Sequence, residues 1–203
     1  TAADCTGHGV PGAFMSMLGV SFLREIVLKE YMTHPGVILK RLRKEIIKSL
    51  KQRSMSESAN STTSMGVKDG MDMALLSIDH ENNIVQFAGA NNPLFHIRNG
   101  ELNVLKPDKM PIAIYEKMDK FTVKEIEIEK GDKLYMFSDG YPDQFGGPTE
   151  FGKKFMIKKF KKLLLESSDN TMEEQKSVLN ERFEEWRGDF EQIDDVVVVG
   201  IEV

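Results

Sequence analysis

Apolar residues Phe14, Met17, Leu18, Phe22, Leu23, Ile26 and Val27 recur at helical spacing and predict a first helix from Pro11 to about Tyr31. Pro11 suits the first turn, where its missing N–H is not needed. His34-Pro35-Gly36 breaks the chain, and Val37, Leu39, Leu42, Ile46, Ile47 and Leu50 mark a second amphipathic helix, so the pair reads as a helical hairpin. Ser54 to Ser64 is polar and without period, the pattern of a flexible loop. Strand patterns then follow at Met71 to Ile78, Ile84 to Ala88, Pro93 to Arg98 and Leu102 to Leu105, with Asn82-Asn83 and Asn99-Gly100 in hairpin-turn positions. Phe121 to Ile128 alternates like a half-solvated strand, and Lys133 to Phe137 reads as a buried one ending at Ser138-Asp139-Gly140. Helices are expected over Gly152 to Glu166 and Met172 to Trp186, and the closing Val196 to Ile201 run reads as a central strand.

Helices and antiparallel hairpins fall in separate blocks, which indicates an α+β fold in one domain, residues 1–203, rather than a βαβ one. Hydrophobic residues make up 40% of the chain, enough for a core. A formal net charge of −5 argues against nucleic acid as the main partner and is compatible with divalent cations. The single cysteine, Cys5, excludes an internal disulfide and a cysteine-rich zinc site and suits a reducing, cytoplasmic compartment. No apolar run is read as approaching the length of a membrane span, and no signal peptide is visible. Thr1-Ala2-Ala3-Asp4 reads like the end of a buried strand, so the domain is expected to begin earlier.

Three places share one grammar, an aspartate where an apolar strand meets a turn: Asp4 in ADCTGHG, Asp139 in FSDG, and Asp194-Asp195 ahead of VVVVG. Asp72, in DGMD, is read as a turn or strand-face residue outside the set. Each alone is explained by turn chemistry, since a carboxylate bonds nearby backbone N–H groups. Together, several carboxylates without Cys or His partners suit hard divalent ions such as Mg²⁺ or Mn²⁺. Two such ions ~3.5–4 Å apart can activate a water for in-line attack on phosphorus.

The ordered segments ADCTGHGVPGAFMS, KDGMDMALLSID, AGANNPLF, GDKLYMFSDGYPDQFG and DDVVVVGI resemble the SpoIIE/RsbU-like branch of the PPM (type 2C) metal-dependent serine/threonine protein phosphatases over essentially the whole chain. The resemblance implies a PPM-type α-β-β-α sandwich of two antiparallel sheets flanked by helices, with N-terminal strands missing from this chain. It implies two ions, Mn²⁺ or Mg²⁺. Asp4 would bridge both, the Cys5 backbone carbonyl would bind one, and Asp139 and Asp194 would complete the second ion's shell, with Asp195 a further contributor. The reaction implied is hydrolysis of phosphoserine or phosphothreonine by a metal-bridging water, without a phosphoenzyme. Relatives carry a Gly-Asp motif ahead of the ADCTGHG segment, so impaired metal binding is an expectation here, and the sheet edge left open invites a homodimer. His8 has two readings, a general acid for the leaving alkoxide or a buttress of the Gly7–Gly9 turn. Cys5 is read as a small buried filler.

The expected partners are a phosphorylated protein substrate, by resemblance an anti-sigma-factor antagonist, and an upstream sensor or linker domain in a bacterial signalling protein, including a membrane-anchored one with this domain in the cytoplasm. The alternative is a non-catalytic, phosphatase-like interaction module acting through helices 11–51, which in relatives act as a switch. The lysines at 153–154, 158–159 and 161–162 read as a solvated helix face, and the twelve methionines as adaptable core.

Overall fold

A computed structural model describes residues 1–7, 9–50, 69–116 and 118–203. His8 and the Ser54 to Ser64 stretch lie outside the described residues. Strand β1 (Ala2–Cys5) runs into a turn where Gly7 and Gly9 have φ of 91° and 65°, which glycine adopts freely. Helix α1 (Gly9–Arg24) then starts two residues before the expected Pro11 and continues as a π-helical turn, Glu25–Lys29. Helix α2 (Pro35–Ser49) begins on Pro35 itself, because proline is tolerated in a first turn.

Strands β2 (Met71–Asp79), β3 (Ile84–Ala90), β4 (Leu94–Arg98) and β5 (Glu101–Leu105) follow, with left-handed Asn83 and Asn99 in the turns. Strand β6 (Lys124–Glu127) is shorter than the expected Phe121 to Ile128. Upstream of it, the Thr122 N–H and hydroxyl donate to the Asp108 carboxylate at 2.6 and 3.0 Å, and Arg43 lies 4.7 Å over the Phe121 ring. Side-chain partners hold those residues instead of a ladder.

After β7 (Lys133–Phe137) comes a single helical turn that the sequence does not announce, α3 (Gly140–Asp143). A two-residue ladder follows, β8 (Phe145–Gly146) with β9 (Lys153–Lys154). Helix α4 (Ile157–Glu166) therefore starts five residues after the expected Gly152, and Met156, at φ 75° and ψ 140°, is not helical. Helix α5 (Met172–Arg187) opens on a capping box between Thr171 and Glu174. Strand β10 (Val198–Glu202) ends the fold.

The chain forms two units. One comprises Ala3–Pro93 and Lys106–Glu127 and carries the sheet β1-β2-β3-β6, with β2–β3 and β3–β6 antiparallel. Met71, Met73 and Leu75 of β2 and Ala88 and Ala90 of β3 lie on one face, by the two-residue period of strands, and join Leu39, Leu42 and Ile46 of α2 in an aliphatic core. Helix α1 adds only Gly12, Met15 and Gly19 as buried residues, while Phe14 and Met17, expected to face the core, are 55% and 71% exposed. The stretch Gly9–Lys29 is, by length and composition, apolar enough to cross a membrane, with mean hydropathy 1.3, which corrects the expectation that no run approaches that length. Here it packs as a helix of this unit, with Met15 and Ile26 in the core cluster.

The other unit comprises Leu94–Leu105 and Ile128–Val203, with the antiparallel sheet β10-β7-β4-β5. Strand β10 is thus at an edge of its sheet, where the sequence suggested a centre; a β-branched run signals a strand without saying how many neighbours it has. The core is aromatic. Phe137 lies 4.7 Å from Phe95 and 5.0 Å from Phe160, and Tyr141 lies 4.8 Å from Phe160. Helix α5 is tied to it by two buried phenols, Tyr135 donating to Gln175 Oε1 and Tyr141 to the Leu179 carbonyl. Burial pushes Tyr135 up to about 12 and Tyr141 higher still, so both remain donors. At the far end of β4, Asp132 is buried against Arg98 and His96.

Candidate metal centre

Asp139 is the second residue past β7 and the N-cap of α3, yet its side chain makes no cap hydrogen bond. The dull account of an aspartate at a turn is capping, and at Asp139 it does not apply. Its carbonyl instead starts the turn, accepting from the Asp143 N–H at 2.9 Å. Asp194 lies in the approach to β10. Its Oδ1 accepts the Asp195 N–H at 2.8 Å, and its carbonyl accepts Gln192 Nε2 at 2.8 Å.

Both carboxylates are exposed, and each offers an oxygen within 4.8 Å of the other's. Two like charges that close repel by about 1 kcal/mol even in water-like surroundings. The backbone nevertheless enforces the approach. Ser138, buried at the end of β7, donates its N–H to the Val197 carbonyl at 3.0 Å and its hydroxyl to the Asp195 carbonyl at 2.9 Å, and accepts the Val197 N–H at 3.0 Å. Gly140 completes the clamp, since a Cβ there would stand 2.3 Å from the Asp195 carbonyl oxygen. Any side chain at 140 pushes the 194–195 segment away. Asp195 follows Asp194, and its contacts here are through its backbone, the carbonyl accepting the Ser138 hydroxyl and the N–H donating to Asp194 Oδ1.

Asp4 lies in β1 of the first unit and is half-buried. Its turn is pinned by the Thr6 N–H, which donates to the Gly70 carbonyl at 2.9 Å, and the strand by Thr1 Oγ1 on the Ala74 carbonyl at 2.9 Å. Cys5 is half-buried rather than buried. Burial raises its thiol pKa, a hydrogen bond with Ser16 opposes that, and the Asp4 charge raises it further. A thiol held protonated is a poor nucleophile. Asp72 accepts Asn91 Nδ2 at 2.8 Å, the turn-supporting role expected of it.

Sequence reasoning named the acids and missed their scaffold. Ser138 and Gly140 flank Asp139 in FSDG, and that adjacency was the available signal; their partner strand was not readable from it. The donor set itself, carboxylate oxygens without imidazole or thiolate among the acids brought together, fits a hard divalent ion.

The family model for Stage II sporulation protein E (SpoIIE) matches residues 1–203. The SiaA-PP2C domain of Pseudomonas aeruginosa superposes with a TM-score of 0.80 at 27% identity, covering 99% of this chain and 73% of that one. The RsbU and RsbW domains of Rv1364c from Mycobacterium tuberculosis give 0.70 at 18% identity, with 98% of this chain covering 50% of that one. The catalytic domain of the serine/threonine protein phosphatase PstP, in complex with 2 manganese ions, gives 0.59 at 17% identity over 98% of this chain and 84% of that one. The chain thus spans about half the length of the Mycobacterium chain it matches. No curated protein matches it. The antiparallel sheets with their helices are the α+β fold of these phosphatases, and the chain belongs to the SpoIIE family, in the SpoIIE/RsbU-like branch of the PPM (type 2C) serine/threonine protein phosphatases.

Proposed function

We propose that this domain removes phosphate from phosphoserine or phosphothreonine on a regulatory protein, using Mn²⁺ or Mg²⁺ held by Asp4, Asp139 and Asp194. The Cys5 carbonyl and Asp195 are further oxygen donors in the proposed set. The observation that carries the reading is the Asp139–Asp194 pair, two exposed acids forced together by backbone, with the Asp139 side chain making no cap hydrogen bond. Support for the metal comes from PstP, a phosphatase of the same fold described with manganese. Support for Asp4 comes from its place between a strand and a glycine turn and from its carboxylate as a candidate ligand.

When bound, such ions neutralise phosphate charge and lower the pKa of a coordinated water. The chain's own part is to present ionised carboxylates in fixed positions. Ser138 and Gly140 hold the Asp194 segment against Asp139, so little reorganisation remains when an ion enters. Exposure of both acids leaves the phosphate ester free access. The raised Cys5 thiol leaves no competing sulfur nucleophile at Asp4.

The target we favour is a phosphoserine on an anti-sigma-factor antagonist, with the domain as cytoplasmic output of a bacterial signalling protein. The likeness to a chain that joins an RsbU to an RsbW domain supports this. One observation favours a second role for helices 11–51: Val10, Phe14, Met17 and Val20 of α1 are 83%, 55%, 71% and 56% exposed, a surface suited to a regulatory partner. The test is phosphate release from a phosphoserine protein with Mn²⁺. The expected outcome is metal-dependent turnover that Asp139→Asn reduces at least 100-fold. Turnover that ignores both the metal and the substitution refutes the reading.

A further inference from the structure

From Phe151 to Lys162 the chain carries six lysines and no acid, within a protein of formal net charge −5. The fold divides these lysines. Lys159 and Lys161 lie over the Trp186 and Phe95 rings at 3.6 and 5.1 Å and are used within the unit. Lys153 and Lys154 sit on β9, and Lys158 opens α4, all exposed. Lys154 pairs with Asp143 at 2.6 Å, whereas Lys153 and Lys158 have no carboxylate within ion-pair distance among the described residues. Interleaved with them, Phe151, Met156 and Ile157 are 86%, 55% and 40% exposed. Lone exposed apolar side chains are ordinary; here three fall within the eight residues from Phe151 to Lys158 that also hold the two lysines without an ion pair.

That surface is built rather than loose. Met156 sits at φ 75° and ψ 140°, a strained region nearly reserved for glycine. Its N–H donates to the Pro142 carbonyl at 2.7 Å, and its carbonyl accepts from the Lys159 and Phe160 N–H groups at 3.0 and 3.2 Å. Phe155 beside it is buried against Tyr141 and Trp186 at 5.3 and 5.4 Å, and its N–H donates to the Gln144 carbonyl at 3.0 Å. The strain turns Met156 out to solvent, which burial alone does not reward. Pro142 belongs to the short helical turn that begins just after Asp139, three residues along the chain from the acid, so the Met156 N–H is anchored to the same turn.

We propose that this surface docks the protein substrate: an acidic segment beside the phosphorylated residue, with carboxylates at Lys153 and Lys158 and an apolar side chain against Phe151 and Met156. The proposal rests on the phosphatase reading and names the substrate features that this site recognises. A flat anionic lipid surface fits less well, because it would meet the exposed Glu150 and the partly exposed Asp143 together with the lysines.

The test uses the full chain with Mn²⁺ and two phosphoserine peptides that differ only in flank, acidic with leucine or basic with serine, plus p-nitrophenyl phosphate. The wild type prefers the acidic peptide by about tenfold in KM at low salt. Lys153→Glu with Lys158→Glu reverses the preference, Phe151→Ser raises KM several-fold for the peptide alone, and p-nitrophenyl phosphate turnover stays unchanged. Equal KM for the two peptides overturns the proposal. So does a matching loss on p-nitrophenyl phosphate, or an effect confined to binding of phosphatidylglycerol vesicles. If the wild type releases phosphate from nothing, the phosphatase reading fails by itself. Anisotropy of the labelled peptides then decides docking: tighter acidic-peptide binding sustains it, and equal binding removes it.

Discussion

The two units stabilise themselves by different means, and the proposed ligands divide between them. The first packs methionine and aliphatic side chains from β2, β3 and α2, and leaves one face of α1 in solvent. The second interlocks seven aromatic side chains, Phe95, Tyr135, Phe137, Tyr141, Phe155, Phe160 and Phe183, and ties α5 down with two buried phenols. Aromatic rings allow few rotamers and fix their contacts in geometry, while methionine adapts to irregular space. The acid pair that must be placed against its own repulsion, Asp139 and Asp194, belongs to the aromatic unit. Asp4 belongs to the adaptable one, on a strand that leads through a glycine turn into α1. Precision is thus concentrated where like charges are held together.

The sharpest way to break this comparison is to empty the aromatic core. Phe160→Ala, at a fully buried site touching Phe95, Phe137 and Tyr141, is expected to cost roughly 3–5 kcal/mol in chemical denaturation. A loss under about 1 kcal/mol would mean that the ring cluster is not what organises this unit. A smaller effect separates acid behaviour. Burial works against the Asp132 charge, but hydrogen bonds from Arg98 and the Glu129 N–H, with the His96 ring 3.0 Å away, outweigh it and lower the pKa from 3.8 to about 2. A depressed carboxylate stabilises the fold fully above its unfolded value, and that share is lost as pH falls through the folded one. Between pH ~4 and ~2, melting temperature is therefore expected to drop in the wild type and to drop less in Asp132→Asn, which starts on the order of 2 kcal/mol less stable at neutral pH. Parallel melting curves in the two proteins would contradict this. The smallest effect belongs to α1: Met17→Ala, at 71% exposure, is expected to stay within about 0.5 kcal/mol in the same denaturation assay.

The sequence disclosed more of the site than of its support. Asp139 and Asp194 could be found because each adjoins an apolar strand run, and runs such as LYMF and VVVV are strong local signals. The turn Gly140–Asp143 and the β8–β9 ladder could not, since elements of two to four residues exist only through distant partners: Trp186, whose Nε1 donates to the Gln144 carbonyl at 3.1 Å, and the Pro142 carbonyl under Met156. Methionine gives no sign in sequence of a left-handed backbone. The edge position of β10 was hidden for the reason that composition describes a strand's faces and not its neighbours. Helix α1 was legible as a helix, but periodicity alone placed Phe14 and Met17 inward, and the structure turns them out.

The central claim is that the Ser138–Gly140 clamp makes a metal site of two exposed acids. A calorimetric Mn²⁺ titration of the wild type beside Gly140→Ala tests it most directly, because the added Cβ, 2.3 Å from the Asp195 carbonyl oxygen, displaces the Asp194 segment while leaving every carboxylate in the sequence. Saturable Mn²⁺ binding in the wild type, weakened about 10- to 100-fold in Gly140→Ala, is the predicted result. Equal affinity in the two proteins, with circular dichroism showing both folded, would contradict it.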